Sequence, residues 1–264
     1  MDKDNERVAL VTGVDGLGHA VAVELSRRQW AVCCQAAEAE DAEAAVDAAR
    51  DAAAVAGHDT RVEPLTADLE DGEQREQLIE SMIESFGRVD LLVCAPVTAP
   101  LRTSDLLELG EKELRAALDA SVVATTMLAQ LVAREMVRLA EAGLAENPRI
   151  VTINSIGAYT TSADHAPHCL ARSALAMLTK LLADRLGEYG INAYEVRVGM
   201  IRSGANDPGH EEYDELIEQG LMPIRRWGRP ADVARAVAAV AEDLLPFSTG
   251  EVINVDGGFH LRRM

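Results

Sequence analysis

Val8-Ala-Leu-Val-Thr12-Gly13-Val14-Asp15-Gly16-Leu17-Gly18-His19 joins a short apolar run to a turn carrying three glycines. Glycines let a chain turn tightly and let a pyrophosphate approach the backbone, while the following helix offers unpaired N–H groups at its start. Strand, glycine turn and helix make the opening βα unit of an open parallel sheet, whose ligands bind beyond the carboxyl ends of the strands. The rest of the chain repeats the alternation. Further apolar runs at Ala31–Gln35, Arg61–Leu65, Leu91–Ala95, Ile150–Asn154, Ile191–Val198 and Val252–Val255 read as strands. Between them Asp71–Phe86, Glu111–Glu141, Pro167–Glu188 and Pro230–Asp243 have helical periodicity, and the Ala/Glu/Asp-rich stretch Ala36–Ala56 reads as an exposed helix. Such alternation predicts an α/β fold: a doubly wound parallel sheet with right-handed crossovers and helices on both faces.

A chain of 264 residues suits one large domain, and with aromatics at 3% its core must be built from Ala, Val, Leu and Ile. The net charge of −19 repels nucleic acid and anionic lipid, so neither is expected as a partner. No run is expected to reach the roughly 20 apolar residues of a membrane span, and the charged start, Met1-Asp-Lys-Asp-Asn-Glu, does not read as a secretory signal. Cys33, Cys34, Cys94 and Cys169 have neither zinc nor disulfide spacing, which points to reduced thiols and a cytoplasmic setting. The acid-rich Gly204–Gly220 is the least regular segment, a lid or a plain surface excursion.

Ser155 closes the run Ile150-Val-Thr-Ile-Asn-Ser155, and thirteen residues later His168-Cys-Leu-Ala-Arg172 opens a long helix. Residues four apart share a helix face, so His168 and Arg172 converge on one cleft. An imidazole moves protons near neutral pH because its reference pKa is about 6.5. Arg172 keeps its charge and disfavours a neighbouring imidazolium, so His168 is expected to be neutral, a fair proton acceptor and a poorer donor. His165 is a second, weaker candidate. No carboxylate or third histidine stands at ligand spacing, so no metal is expected. Structural roles suit the same residues: a capping or surface histidine, a turn serine, a solvated arginine, and Cys169 as a small packed side chain.

Several of these segments resemble the short-chain dehydrogenase/reductase (SDR) family, in particular its 3-oxoacyl-ACP reductase-type members. The glycine turn TGxxGLG resembles that family's TGxxxGxG with one residue fewer; Gly13 and Gly16 also match the TGxxGxxG of extended relatives, with His19 at the last glycine. Ser155, His168 and Arg172 keep the spacing of the family's S…YxxxK as S…HxxxR. Asp68 matches its adenine-side aspartate, Gly228-Arg-Pro-Ala-Asp-Val233 its GRPEEV, and Thr249-Gly-Glu-Val-Ile-Asn-Val-Asp-Gly-Gly258 its TGxxixVDGG ending. The resemblance runs from Val8 to Gly258.

It implies a Rossmann-like fold of about seven strands, a single domain over residues 1–264, and a substrate lid near 200–225. It places a dinucleotide on Gly13, Asp15, Gly16, Leu17, Gly18, Asp68, Cys94, Ala95, Arg172, Gly199, Ile201 and Ser203. Catalytic duties fall to Ser155, His168, Arg172 and Ser121, the last standing where the family's asparagine holds a relay water. NAD is favoured over NADP, because Asp15 and Glu38 would repel a 2′-phosphate. The substrate is a small molecule. Assembly into a homotetramer or homodimer would use the two long helices, with Leu128, Leu131 and Val132 facing either that interface or the core. Departures cluster at the chemistry: Cys94-Ala-Pro-Val97 stands for NNAG, with Val97 bringing bulk near a nicotinamide ribose, and Val198-Gly199 for PG.

Three functions fit: an NAD-linked oxidoreductase of an alcohol/carbonyl pair, a catalytically silent binding protein, and a non-redox enzyme like the halohydrin dehalogenases, which pair serine with YxxxR. The whole-chain resemblance and the kept spacing favour the first, and the retained glycine turn counts against the third.

Overall fold

The strands are mainly apolar, and those at the centre of the sheet are buried because helices cover both faces, as parallel sheets require. In the computed structural model, which describes residues 6–96, 105–202 and 210–262, seven strands form one sheet: β1 (Val8–Val11), β2 (Ala31–Ala36), β3 (Val62–Thr66), β4 (Leu91–Cys94), β5 (Arg149–Ser155), β6 (Asn192–Val198) and β7 (Glu251–Val255). All pairs are parallel, in the order β3-β2-β1-β4-β5-β6-β7. The order reverses between β1 and β4, which opens a crevice at their carboxyl ends.

One face packs against α1 (Leu17–Ser26), α2 (Ala39–Val55) and α8 (Pro230–Ala241) through Val21, Leu25, Val46, Val233 and Val237. The other packs against α3 (Gly72–Phe86), α5 (Ala124–Glu141) and α6 (Ala166–Leu186) through Met82, Leu128, Val132, Met136 and Leu186. The fold is thus a Rossmann-like α/β/α sandwich, and every expected strand is present to within a residue or two.

Four expectations need correction. The stretch Ala36–Ala56 is not simply an exposed helix, because Ala42, Ala45, Val46 and Ala49 of α2 are buried against the sheet. Leu128 and Val132 belong to the core, one of the two places expected for them. The stretch Glu111–Glu141 is long and apolar enough to cross a membrane, although none was expected, yet much of its apolar character goes into covering the sheet. It is also not one continuous α-helix: α4 (Glu111–Leu118) passes through a π-turn, Asp119–Val123, into α5. Such bulges recur at functional sites. Part of the acid-rich segment read as irregular forms α7 (His210–Glu218). Val97 and Ser203 lie outside the described residues.

The glycine turn is held in place by packing. A Cβ at Gly18 would lie 2.3 Å from the carbonyl oxygen of Thr12 and 2.6 Å from that of Gly13, both rigid backbone atoms. Gly18→Ala is therefore expected to destabilise the protein by about 1–3 kcal/mol through overpacking. The thermal-unfolding midpoint should drop by several degrees, and an unchanged midpoint would contradict this packing.

Candidate functional site

The crevice is built from strand ends. Thr12 leaves β1 by donating its N–H to Val93, and its Oγ1 accepts the N–H of Ala95 at 3.2 Å, so β1 and β4 end side by side. Gly13 follows at φ +62°, where a Cβ would meet the Ala95 oxygen at 2.1 Å. The side chain of Gln35, buried at the end of β2, then ties the turn down: its Oε1 accepts the Gly13 N–H at 3.4 Å and its Nε2 donates to Ala67 at 2.9 Å. Gly16 differs from its two neighbours. It caps α1 at φ −136°, and a Cβ there would meet nothing closer than an oxygen at 3.8 Å. The space over Gly16 is open, beside the first N–H groups of α1, which lack helical partners.

A cavity of about 230 Å³ lies beside this turn, lined among others by Gly13, Asp15, Gln35, Asp68, Ala95 and Leu128. Gly13, Asp15, Asp68, Cys94 and Ala95 thus gather around one cavity. Asp68 does not cap α3; Asp71 does, accepting from the N–H groups of Glu73 and Gln74. Asp68 uses Oδ1 for the N–H of Glu70 and stands exposed at the cavity edge. Gly16, Leu17 and Gly18 are not in the cavity wall, and Leu17 packs against the core. Gly199 and Ile201 also have packing duties. A Cβ at Gly199 would stand 2.7 Å from the Asp256 Cα, and Ile201 lies against Gly228. Gln35 was missed; the signal was one amide in the apolar run Val32-Cys-Cys-Gln35-Ala.

The second cluster sits where β5 ends. Ser155 Oγ accepts the N–H of Gly157 at 3.0 Å and lies 3.2 Å from Nε2 of His168, the imidazole being packed over Gly157. A Cβ at Gly157 would stand 2.8 Å from the ring, so glycine is needed for this contact. Arg172, one turn along α6, is 5% exposed, and its Nη2 donates to the carbonyl of Pro96 at 3.3 Å. Burial lowers the pKa of Arg172 to about 10, still cationic at neutral pH. Burial, with the Arg172 charge and then His165 adding to it, pushes His168 down to about 4. His165 itself pairs through Nδ1 with Ser162 Oγ at 2.9 Å. Ser121 lies in the π-turn, 6% exposed, its hydroxyl without a partner among the described residues. A buried hydroxyl in that state is destabilising by about 1–3 kcal/mol unless a water or ligand completes it.

This geometry limits the chemistry. Acyl transfer by a serine–histidine pair needs an imidazolium stabilised by a carboxylate. Here a guanidinium opposes that charge, so the pair suits taking up a proton briefly. The structure brings Ser155, His168 and Arg172 together.

Comparison with known proteins agrees in fold and sequence. Residues 11–260 match a family model described as enoyl-(acyl carrier protein) reductase. A 3-oxoacyl-[acyl-carrier protein] reductase from Brucella melitensis, solved in complex with NAD, is 30% identical with a TM-score of 0.90, covering 98% of this chain and 99% of its own. Bovine dehydrogenase/reductase SDR family member 4 is 28% identical over 260 residues, 96% of this chain and 87% of its own. A Thauera aromatica (2S)-[(R)-hydroxy(phenyl)methyl]succinyl-CoA dehydrogenase subunit is 30% identical over 258 residues, 96% of each chain.

The low His168 pKa has a consequence for stability. Unfolded, the ring takes a proton below about 6.5; folded, it does so only near 4. Its neutral burial is therefore free of penalty above pH 6.5, and native stability falls as pH drops from there toward 4. His168→Gln should flatten the decline of the unfolding free energy between pH 6.5 and 4. Parallel curves for both proteins would show that the ring is not held neutral.

Proposed function

The chain belongs to the short-chain dehydrogenase/reductase family of oxidoreductases, and on that footing we propose that it works as an NAD-linked oxidoreductase of an alcohol/carbonyl pair, favouring oxidation of the alcohol. The observation that carries this reading is the imidazole of His168, held neutral beside a buried guanidinium and 3.2 Å from the Ser155 hydroxyl.

The crevice suits the adenosine side of a dinucleotide. Gly16 leaves room for a phosphate against the start of α1, Asp68 supplies a carboxylate at the cavity edge, and Gln35 holds the turn open. Arg172 would lie on the ribose side. Bound NAD would supply the hydride acceptor. NAD is preferred to NADP because Asp15 lines the cavity and Glu38 starts α2, and neither tolerates a 2′-phosphate nearby. Ser155 holds the alcohol oxygen through its hydroxyl. Nε2 of His168 accepts the proton that this oxygen loses, and the Arg172 charge drives the proton off the ring again toward solvent or the relay hydroxyl of Ser121. A ring with a pKa near 4 is unprotonated at neutral pH, the state that accepts the alcohol proton.

The substrate is a small molecule, and α7 would form part of its lid. Homodimer or homotetramer formation would cover Leu170, Met177 and Leu181, which α6 exposes. Four free thiols accord with a cytoplasmic setting.

Two tests follow. Gly16→Ala should leave the unfolding midpoint nearly unchanged while weakening NAD binding at least about tenfold in calorimetry, as expected when a bulky group meets a phosphate approaching the backbone; equal affinity for both proteins would remove the dinucleotide from this turn. Across a panel of alcohols, kcat/KM for oxidation should stay level from about pH 5 upward with respect to His168 and collapse in His168→Ala by about 100-fold or more. NAD binding without turnover on any alcohol would leave the binding-protein reading, and halide release from a haloalcohol the non-redox one.

A further inference from the structure

Two charged residues stand in β6 where the strand passes beneath α6. Glu195 is 1% exposed, and its carboxylate receives Nε of Arg197 at 2.7 Å and Nη2 at 3.0 Å. Burying such a pair is expensive, so its retention calls for a role beyond stability. The same carboxylate accepts from Nδ2 of Asn154 at 3.0 Å, across the β5–β6 register. Asn154 is also 1% exposed and spends its remaining capacity on the site: Nδ2 donates to the backbone carbonyl of Arg172 at 2.9 Å, and Oδ1 accepts the N–H of Ser155 at 2.9 Å.

One amide therefore touches both halves of the catalytic cluster. The helix that carries His168 and Arg172 is tied to the end of the strand that carries Ser155. A second tie runs beside it, from Ser173 Oγ on α6 to the carbonyl of Ala158 at 3.1 Å. At the far end of the serine segment, the Arg197 guanidinium lies 5.1 Å from the centre of the Tyr159 ring. The ion pair thus reaches the segment Ser155–Tyr159 at both ends, through Asn154 and through Tyr159.

We propose that Asn154, oriented by the Glu195–Arg197 pair, is the positioning residue that sets the height and rotation of α6 against Ser155, and so the Ser155–His168 contact. This rests on the oxidoreductase reading for its effect on turnover, but not for its effect on geometry. The amide is suited to the task because it can donate to two acceptors and accept from one donor simultaneously. No aspartate or aliphatic side chain of that size does so. Misplacement of a proton acceptor by about 1 Å lowers turnover by roughly 100-fold.

The test compares wild type with Asn154→Asp, which keeps the acceptor for Ser155 but loses both donated bonds and faces Glu195 with a like charge. Asn154→Ser, small and uncharged, serves if the aspartate variant does not fold. Two readouts are taken on the full chain. The first is titration of the His168 ring by NMR, with the signal assigned by its loss in His168→Gln. Arg172 on the same helix and His165 in the preceding turn are the charged or titratable groups that face the ring. As the ring loses its packing it gains water, and its midpoint should rise from about 4 toward the ordinary value near 6.5. The second is kcat for alcohol oxidation, expected to fall by about 10- to 100-fold while NAD affinity stays within about twofold. In the double variant Asn154→Asp/Glu195→Gln, a hydrogen bond between the two side chains is restored but the tie to Arg172 is not. It should regain thermal stability without regaining the His168 midpoint or kcat. A variant that loses stability while His168 titrates as in wild type, or a double variant that restores everything, overturns the proposal. If wild type turns over no alcohol, the NMR readout alone decides the positioning role, and the redox reading fails separately.

Discussion

A guanidinium stripped of nearly all its water stands one helical turn from an imidazole, and the protonation state of the site follows from that adjacency. Arg172 holds its charge in the buried position because its pKa, though lowered, remains far above neutrality. His168 has no such reserve. Desolvation and the neighbouring cation act in the same direction on it, so the ring stays a bare base and keeps Nε2 free for the Ser155 hydroxyl. A tyrosine–lysine pair, by the family resemblance, uses its cation to make an acid easier to ionise. Here the cation instead prevents a base from charging. The same spacing on the same helix carries a different proton inventory.

The nucleotide end of the crevice rests on a different constraint, the crowding of three strand ends. Gly13 and Gly18 are required by the chain itself, since a side chain at either would strike a backbone oxygen. A Cβ at Gly16 would meet nothing closer than 3.8 Å among the described residues. Gln35 bridges Gly13 and Ala67 and so ties the turn after β1 to the segment that follows β3. The proposed preference for NAD follows from the carboxylates of Asp15 and Glu38, with no Lys or Arg among the described residues that line the cavity.

Much of the fold could be read from the chain because buried parallel strands leave apolar runs with little ambiguity, and the glycine turn announces the first βα unit. Ser155, His168 and Arg172 could also be read, since strand end and helix spacing are local properties. Other features could not. The π-turn at Asp119–Val123 contains neither proline nor glycine, and α7 is assembled from the acid-rich His210–Glu218, whose composition suggests a solvated loop. The neighbour that requires glycine at position 199 is Asp256, far away in sequence. The ties from Asn154 to Arg172 and Glu195 span 18 and 41 residues. Such bonds depend on which strands become neighbours, which no local pattern encodes. The visible hint was only that Glu195 and Arg197 interrupt an otherwise apolar strand.

The most direct test is the charge state of one ring. Nitrogen NMR of His168 in the wild-type protein, followed from pH 8 to pH 3 or the onset of acid unfolding, reads it without any assumption about substrate. A neutral imidazole throughout the physiological range, gaining its proton only near 4, is the predicted result. An imidazolium at neutral pH, or a midpoint at the ordinary value near 6.5, would contradict the account, because the ring would then be solvated and free of the buried cation's influence.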